Sequence, residues 1–589
     1  MTDPITRRQF IKHSSTAAAG AAGAAFSARR VSARPANPAE IVGDKEVLSP
    51  VGAVAAPALA ARVGAAILRA GGNAMDAAAA ACLASGTAYP HFVCVGGYVA
   101  AGVVLEGGTG KAWSLDGNSV APAQAREDMF QVTPLTRPAK GLNETEYQCH
   151  VAGDANVNGP LAVGVPGFVG GVGMLWERWG KLKWPEIVAP SLALLEDGFP
   201  FGSAAVAIKS KEAVIRKFEP SARHLMPGGK LPKATDVWHR PDMEKTLKRL
   251  SSAGWRDFYQ GELGRRVADY IQSIGGILTR ADMAAFHAGL EEPYAITYRK
   301  ARIHGATLSN GALTALQVLN MLECFEPVSD QEPAYWHRLA EIFKLAWRDR
   351  LRYLGDPKFA NVPIDKLLGK EYASAGIDTL RKNPDYVDRT APPAPQVSPQ
   401  GTVHVSAADV HGNLVSITIS QGGWLGSCVT VPETGLVLGH GMCRFDPRPG
   451  RPNSVQARKR PLNNVCPMIV RTKERDLAAG LAGGRRIVSV SAQIVQRLLD
   501  QHATPLQAVT ASRMHIETSE PMEVEQRLDG SLRSRLAEMG HEIITVKQVG
   551  SAAAVAGLLK PERMVRAAGN SGAAGVVKSG KRKVESGKR

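Results

Sequence analysis

The bond between Gly401 and Thr402 joins a glycine to a hydroxyl residue at the start of a strand-like segment. The preceding run is proline-rich and cannot form a helix or a central strand, because proline lacks an amide donor and fixes φ. Attack of the Thr402 hydroxyl on the Gly401 carbonyl would free the Thr402 α-amine, whose pKa is about 8. That amine is then a general base for its own hydroxyl. The junction predicts a self-cleaving chain with a threonine nucleophile, although an ordinary strand start has the same pattern.

Other catalytic and metal-binding patterns are missing from the sequence. The 14 histidines form no H-E-x-x-H, and there is no carboxylate-rich metal loop and no G-x-S-x-G elbow. We therefore expect no metal and no cofactor. His404 lies on the same face of the predicted strand as Thr402, and we interpret it as a structural histidine.

A hairpin is predicted to position Thr402. Residues 403–408 and 414–420 alternate between inward and outward side chains, and His411-Gly412-Asn413 lies between them. Gly412 supplies the positive φ that a tight turn needs. The pattern indicates two antiparallel strands, the first opened by Thr402.

Helices and further strands surround this hairpin. Residues 55–84 are rich in alanine and predict two helices broken at the glycine pair 71–72, with Asn73 capping the second. Residues 184–196, 337–352 and 488–501 have amphipathic helical spacing. The length of 589 residues and the 44% of apolar residues are typical of a globular α/β protein.

The two ends of the chain carry signals distinct from the fold. Residues 6–12 form a twin-arginine pattern, followed by an alanine- and glycine-rich run and small residues suited to cleavage. We interpret residues 1–33 as an export signal that directs the protein to the periplasm or the cell exterior. Residues 578–589 are basic, and the ends carry much of the net charge of +17. We therefore expect no nucleic-acid partner. No stretch is apolar for long enough to predict stable membrane insertion.

Seven cysteines are scattered along the chain without a C-x-x-C pair. This excludes zinc-ribbon and thioredoxin-like motifs. We expect buried free thiols.

Several segments, in this order along the chain, resemble the γ-glutamyltransferase (glutathione hydrolase) family of N-terminal-nucleophile enzymes. They include the Gly401-Thr402 junction, with a histidine two residues after the threonine. The other segments are residues 71–77, 165–167, 278–282, 317–320, 337–357, 460–462 and 483–487. The resemblance extends from about residue 40 to about residue 560.

The resemblance implies a four-layer αββα sandwich built from two subunits of one precursor. The large subunit would span residues 34–401 and end in a proline-rich linker, residues 382–401. The small catalytic subunit would span residues 402–575, followed by a disordered basic tail from residue 576. The two subunits would be each other's partners.

The resemblance also implies the catalytic groups. Thr402 is the nucleophile, and Ser420 falls where the family has a second hydroxyl, usually a threonine, that bonds the nucleophile. Gly483 and Gly484 precede an apolar segment, where a helix-start loop is one interpretation. The resemblance favours the other, in which their amides form an oxyanion hole.

The predicted substrate pocket departs from the family pattern. Asn118 stands where the family has an arginine for the glutamyl α-carboxylate, and Arg444 stands where it has an aspartate for the α-ammonium. Asn463 and Asn464 replace a pair of serines. An unpaired buried Arg444 facing an ammonium would cost several kcal/mol, so we expect altered recognition of a free α-amino acid.

Three functions follow from these expectations. The first is cleavage of a γ-glutamyl or related small-molecule amide through an acyl-threonine, by hydrolysis or transfer. The second is an acylase for carboxylate-bearing acyl groups without an α-amine, similar to cephalosporin acylases. The third is a non-catalytic homologue that acts as a binding protein.

Overall fold

The computed structural model describes residues 39–135, 146–307, 309–390 and 401–578. Its strands are β1 Ala39–Ser49, β2 Gly52–Ala55, β3 Val99–Leu105, β4 Ala112–Asn118, β5 Val132–Thr133, β6 His150–Val151, β7 Phe199–Pro200, β8 Val237–Trp238, β9 Gly289–Glu291, β10 Tyr294–Tyr298, β11 Ala301–Gly305, β12 Gly401–Asp409, β13 Leu414–Gly422, β14 Met468–Arg471, β15 Arg475–Leu481, β16 Met514–His515, β17 Met522–Glu525, β18 Ile543–Val546, β19 Ala553–Leu559 and β20 Met564–Lys578.

Its α-helices are α1 Ala58–Arg69, α2 Ala74–Ala88, α3 Phe168–Trp179, α4 Trp184–Glu196, α5 Ala204–Ile215, α6 Glu219–Leu225, α7 Pro241–Ala253, α8 Asp257–Gln260, α9 Glu262–Ser273, α10 Arg280–Ala284, α11 Ala312–Leu322, α12 Pro333–Tyr353, α13 Ile364–Leu367, α14 Lys370–Gly376, α15 Asp378–Lys382, α16 Arg486–Asp500, α17 Pro505–Thr510 and α18 Gly530–Glu538. Short 3-10 helices lie at Ala152–Asp154, Pro160–Ala162, Pro227–Gly229 and Gly441–Arg444.

One antiparallel sheet of 13 strands folds over on itself and makes two central layers. Its order is β10-β11-β14-β15-β19-β20-β2-β12-β13-β3-β4-β9, with β1 paired to β20. Strand β20 pairs with β19 through residues 564–569 and with β2 through residues 573–575. It therefore links the two layers, and the strands around β12 and β13 pack against those around β15 and β19.

Helices cover both outer faces of this folded sheet. Helices α1 to α4 share a buried apolar cluster with β12 and β13. Helices α11, α12 and α16 share another with β14, β15 and β19. The architecture is the four-layer αββα sandwich that the sequence predicts.

Strands β12 and β13 are buried along their whole length, and only the turn between them reaches the surface. Its branched apolar side chains join the core beneath the helices, while polar side chains face the opposite layer. There Ser406 Oγ donates to the Ala554 carbonyl and Ser416 Oγ donates to the Ala479 carbonyl. Gly412 has a φ of 86° at the turn. The alternation therefore predicts the hairpin correctly, although both faces are buried.

Helices α1 and α2 are separated at residues 71–72, as the sequence predicts. Asn73 caps α2 by accepting the amides of Met75 and Asp76, and the Asp76 carboxylate accepts the Asn73 amide in return. The alanines at residues 77–81 are fully buried. Their small side chains let α2 pack closely on the hairpin.

Two of the predicted segments lie partly within the described residues. Strand β20 continues to Lys578, and Ser49 Oγ donates to the Val576 carbonyl at 2.6 Å. Residues 576–578 thus belong to a strand, where the sequence analysis expects a disordered tail from residue 576. The predicted linker is also held in place through residue 390, because Lys344 Nζ donates to the Asp388 carbonyl and Arg348 pairs with its carboxylate. Residues 391–400 lie outside the described part of the chain.

All seven cysteines lie within the described ranges and are free thiols. Six are buried and Cys324 is partly exposed, so the expectation of free thiols is confirmed. Among the described residues, no helix is both long and apolar enough to cross a membrane. The predicted export signal, residues 1–33, lies outside those residues.

Candidate active site

Thr402 and Ser420 face each other across the hairpin. They are register partners in β12 and β13, and their hydroxyl oxygens are 3.0 Å apart. Ser420 Oγ also lies 2.6 Å from the Gly401 carbonyl oxygen and 3.0 Å from the Gly422 amide nitrogen. Both hydroxyl residues are buried. One serine hydroxyl therefore touches both the predicted nucleophile and the carbonyl that it would attack.

The contacts fix the direction of these hydrogen bonds. The Ser420 hydroxyl has a single proton, and it donates that proton to the Gly401 carbonyl. Ser420 Oγ accepts the Gly422 amide proton, and its other lone pair accepts the proton of the Thr402 hydroxyl. Ser420 thus donates to the carbonyl of the predicted cleavage bond and accepts from the hydroxyl that is predicted to attack it.

Gly401 occupies a position with no room for a side chain. A methyl group there would lie 2.9 Å from the His91 carbonyl oxygen and 3.0 Å from the Cα of Phe92. The register also shifts between Gly401 and Thr402, which marks a β-bulge. Bulges re-aim neighbouring groups, and here the irregularity lies at the bond predicted to break.

His404 is a structural histidine, as the sequence analysis expects. Its Nδ1 is 2.8 Å from Thr418 Oγ1 and its Nε2 is 3.0 Å from Ser406 Oγ. Burial lowers the pKa of His404 to about 3. Both ring nitrogens are engaged away from Thr402, and the ring is neutral at physiological pH.

The glycine pair 483–484 follows β15 at the end of the sheet that holds Thr402. The Ala479 carbonyl accepts from Ser416, and Gly480 packs against His404. His404 is two residues nearer to Thr402 than Ser406, the register partner of Ser416, so β15 runs toward Thr402 from Ala479 to Gly480. The pair follows β15 on this course, two residues after the strand ends at Leu481.

The conformation of this glycine loop leaves its amides available. Gly483 has a φ of 143° and Gly484 a φ of 65°, and a methyl group on Gly483 would lie 2.5 Å from the Cα of Gly550. Neither amide donates a hydrogen bond to any described residue. Two free amides at a helix start suit a developing oxyanion.

A buried polar chain supports the glycine loop from behind. Arg485 follows Gly484 directly, and its Nε lies 2.6 Å from a carboxylate oxygen of Glu517. That carboxylate contacts His515 Nε2 at 3.1 Å, and His515 Nδ1 is 2.9 Å from Ser489 Oγ. This network is buried, and it positions the residues that follow the glycine pair.

Asn118 lies in the same cross-strand row as the nucleophile. Thr402 pairs with Ser420, Ser420 with Val99, and Val99 with Asn118. Three strand spacings separate Thr402 from Asn118, about 14 Å. Asn118 Nδ2 donates to the Pro461 carbonyl at 2.7 Å, while its buried Oδ1 has no partner in the described ranges.

Arg444 is buried, but it is not the unpaired cation that the sequence suggests. Its Nη2 lies 3.0 Å from Glu146 Oε2, and both side chains are almost fully buried. Burial opposes the charge of Arg444, yet Glu146 and the nearby Tyr98 hold its pKa above the ordinary value. The expected repulsion by a bare Arg444 is therefore corrected to an ion pair. Arg444 Nε and Nη1, and Glu146 Oε1, have no hydrogen-bond partner among the described residues.

Asn463 and Asn464 are held by a second buried arginine, Arg350. Arg350 Nη2 donates to the Asn463 carbonyl at 2.6 Å and to Asn464 Oδ1 at 2.8 Å. Asn463 Nδ2 donates instead to Asn310 Oδ1. Only Asn464 thus retains a buried amide group without a partner in the described chain.

Tyr98 connects the nucleophile to the charged residues. Its amide donates to the Ser420 carbonyl at 3.0 Å. Burial raises the pKa of Tyr98, and the nearby charge of Arg444 partly opposes this effect. The phenol therefore stays protonated between Ser420 and the pair of Arg444 and Glu146.

Sequence reasoning missed Glu146, Arg350 and Tyr98. Arg350 lies in the segment 337–357 that carries the family resemblance, which is a usable signal. Glu146 contacts Arg444 across 298 positions of sequence, and no local pattern marks it.

One further cluster has the composition of a metal site. Ligand atoms of His337, Glu341 and His541 all lie within 4.8 Å of one another. However, Lys344 Nζ is 2.7 Å from Glu341, and His337 Nδ1 shares a hydrogen bond of 2.8 Å with His541 Nε2. An ammonium group and internal hydrogen bonds thus occupy the groups a metal would need.

Comparison with known proteins agrees with this architecture. The family model described as Gamma-glutamyltranspeptidase matches residues 60–578. The chain is 30% identical over 513 residues to the glutathione hydrolase proenzyme of Bacillus subtilis (strain 168), which covers 83% of this chain and 84% of the relative. It is 31% identical over 498 residues to the Acylase ACY 1 proenzyme of Pseudomonas sp. (strain SE83), with coverage of 83% and 87%.

A solved structure shows the same fold. The crystal structure of cephalosporin acylase from Bacillus halodurans superimposes with a TM-score of 0.78 and covers 91% of this chain and 97% of its own. The two sequences are 24% identical. The likeness therefore concerns the fold, and the relatives include both glutathione hydrolases and acylases.

Proposed function

This chain belongs to the gamma-glutamyltranspeptidase family, and from that premise we propose that it is an amidase that cuts itself at Gly401–Thr402 and then works through an acyl-Thr402 intermediate. The observation that carries the proposal is the contact of Ser420 Oγ with both Thr402 Oγ1 and the Gly401 carbonyl oxygen. A binding protein without catalysis would have no need of this arrangement at a glycine–threonine bond.

Self-cleavage would proceed by an N-to-O acyl shift. Thr402 Oγ attacks the Gly401 carbonyl carbon and passes its proton toward Ser420, and the peptide C–N bond breaks as the nitrogen takes up a proton. Water then hydrolyses the ester. The products are a carboxylate on Gly401 and a free α-amine on Thr402.

Substrate cleavage would reuse the same hydroxyl. The Thr402 α-amine accepts the hydroxyl proton while the oxygen attacks the substrate carbonyl. The amides of Gly483 and Gly484 stabilise the oxyanion, a contribution of about 3–4 kcal/mol for each strong donor. The leaving amine departs with a proton, and water or an acceptor amine then takes the acyl group from Thr402.

The charges near the site favour an acyl group that bears a carboxylate. Arg350 and Arg444 carry two positive charges against the single negative charge of Glu146. A net positive pocket attracts an anion and disfavours a neutral zwitterion. Glutaryl-type amides, which lack an α-amine, are therefore the first candidates.

A γ-glutamyl amide is the second candidate because two buried acceptors are open. Glu146 Oε1 and Asn118 Oδ1 have no hydrogen-bond partner in the described ranges, and each suits a substrate ammonium. The enzyme should prefer γ-glutamyl amides if these acceptors bind the substrate ammonium strongly, and glutaryl amides if the charge of the two arginines has the larger effect.

Export by the twin-arginine pathway is part of the proposal. It rests on the residue pattern at positions 6–12. Arg7→Lys combined with Arg8→Lys should retain the protein in the cytoplasm, as fractionation would show, and unchanged export would refute the assignment of the signal.

A trapping experiment tests the acyl-threonine. The purified protein is mixed with glutaryl or γ-glutamyl anilide, and the reaction is quenched in acid. The protein is then digested, and the masses of its peptides are measured by mass spectrometry. We expect an acyl adduct on the peptide that begins at Thr402. Turnover without an adduct at Thr402, but with one at another residue, would reject the proposed nucleophile.

A further inference from the structure

Residues 203–235, which include α5 and α6, form a basic surface. They contain seven lysines and arginines but only two acidic residues. Both acidic residues are already paired. Glu212 lies 2.7 Å from Arg216, and Glu219 lies 3.6 Å from Arg223. The other five cations are partly or fully exposed and have no ion pair within the described ranges: Lys209, Lys211, Lys217, Lys230 and Lys233. A surface with this charge attracts anions.

One edge of α5 brings this basic surface to the predicted cleavage site. Ser203, Ala207 and Lys211 are spaced by four residues, so they lie on the same edge of the helix. Ser203 is exposed, and its Oγ lies 2.8 Å from Nε2 of His91. A methyl group on Gly401 would lie 2.9 Å from the His91 carbonyl oxygen. Only His91 therefore separates the start of this edge from Gly401.

Lys211 lies near the loop that follows β13. Burial lowers the pKa of His440 to about 3, and the charge of Lys211 also lowers it. The His440 ring packs on Gly422, where a methyl group would lie 2.1 Å from the ring Cδ2. Gly422 pairs with Gly401 in the hairpin, and its amide donates to Ser420 Oγ. Lys211 thus approaches the nucleophile from the side of Gly401.

The loop after β13 holds the basic surface in this position. The Leu425 amide donates to the His91 carbonyl at 3.1 Å. The Thr430 amide donates to Ser221 Oγ of α6 at 2.8 Å. The cations are therefore carried by helices that are bonded to the same loop as the cleavage site.

The site is partly exposed on this side and closed on the other. Phe92 lies against Gly401 and is partly exposed, as are Gly423 and Trp424 after the end of β13. The predicted acyl-pocket residues are all buried: Asn118, Arg444, Asn463 and Asn464. An acyl group bound among them leaves the amine portion of the substrate on the exposed side, where α5 lies.

We propose that the basic surface binds a carboxylate on the amine portion of the substrate, with Lys211 in contact, so that the preferred amides release an anionic amine. The four other unpaired lysines attract the substrate over longer distances. This inference rests on the proposed acyl-Thr402 reaction, because it describes the leaving group of that reaction. It is independent of which acyl group the pocket selects.

A matched pair of anilides tests the proposal. Both carry the same acyl group, one on 4-nitroaniline and the other on 5-amino-2-nitrobenzoate, which has one additional carboxylate. We expect kcat/KM to be about fivefold higher for the carboxylated anilide at about 10 mM salt. At about 1 M salt the Debye length falls from about 30 Å to about 3 Å, so the preference should decrease to less than about twofold.

Substitutions measure the contribution of Lys211 to this preference. Lys211→Met removes the charge but keeps an unbranched side chain, and it should reduce the preference by about threefold to fivefold, as for a partly exposed ion pair. Lys211→Arg keeps the charge and should retain the preference. Lys473→Met is the matched control, because Lys473 is exposed in the turn before β15, at the end of that strand away from the glycine pair. It should leave the preference unchanged.

The outcomes separate the two proposals. A preference of about onefold that does not change with salt, while both anilides are cleaved, would overturn the role of the basic surface and leave the proposed reaction in place. An equal preference in Lys211→Met and Lys473→Met would reject Lys211 as the contact.

If neither anilide is cleaved, the proposed reaction fails, and binding of the two free amines decides the role of the surface. Both amines are coloured, so equilibrium dialysis measures them directly. Tighter binding of 5-amino-2-nitrobenzoate than of 4-nitroaniline, lost in Lys211→Met, would support the carboxylate site. Equal binding of the two amines would reject it.

Discussion

The nucleophile end and the acyl pocket of this site are built in opposite ways. At the nucleophile end, the hydroxyl groups of Thr402 and Ser420 have defined partners set by strand register. In the pocket, the side chains of Arg350, Arg444 and Glu146 keep polar atoms without partners in the described structure. Under the proposed function, the reacting hydroxyls are positioned by the backbone, whereas recognition of the acyl group depends on side chains that a bound ligand would contact.

The largest effect on activity is expected from a substitution at the nucleophile end. Thr402→Ala removes the attacking oxygen, so the chain should stay intact and amide cleavage should fall by at least about a thousandfold. Gel electrophoresis and an anilide assay measure the two effects. Thr402→Ser is the matched control, because it keeps the hydroxyl and should still be cut. Efficient cutting of the alanine variant would exclude Thr402 as the processing nucleophile.

Ser420→Ala should have the second-largest effect, on the rate of self-cleavage. It removes the donor to the Gly401 carbonyl and the acceptor of the Thr402 proton, which should slow self-cleavage by about 10²–10³-fold. The rate is measured from purified precursor on gels over time. Ser420→Thr keeps the hydroxyl and should process within about tenfold of the wild type. A normal rate for Ser420→Ala would mean that its contacts are only structural.

Glu146→Gln tests whether the pocket depends on its ion pair. Leaving Arg444 buried without its carboxylate should lower the free energy of unfolding by about 3–5 kcal/mol, as urea titration would measure. Glu177→Gln is the control, because its pair with Arg256 is exposed and should be worth about 1 kcal/mol or less. An equal decrease in the free energy of unfolding for both variants would show that the buried ion pair contributes no more to stability than the exposed one.

The smallest expected effect is the choice between acyl groups. The glutaryl anilide should exceed the γ-glutamyl anilide in kcat/KM by about tenfold, because a net positive pocket disfavours an added ammonium. A wild type that prefers the γ-glutamyl anilide by tenfold would mean that the acceptors of Glu146 and Asn118 dominate the pocket.

The same contrast explains what sequence could predict. Alternation over residues 403–408 and the glycine at 412 are local signals, and they predict the hairpin, whereas the role of Ser420 beside Thr402 was implied by the family resemblance. The layered fold came from the family resemblance rather than from local patterns. Arg444 was placed in the pocket but without its partner, since Glu146 is 298 positions away. Arg350 reaches Asn464 across 114 positions, and burial with open donors is a property of the folded state alone.

The most direct test of the account is the N-terminal sequence of the smaller fragment of the purified wild-type protein. Self-cleavage at the bond polarised by Ser420 predicts a fragment that begins Thr-Val-His-Val-Ser, with Thr402 as a free amine, and a larger fragment that ends at Gly401. Intact-mass measurement of the same sample would confirm both ends. A single uncut chain that still cleaves amides, or a cut at any other bond, would contradict the central claim.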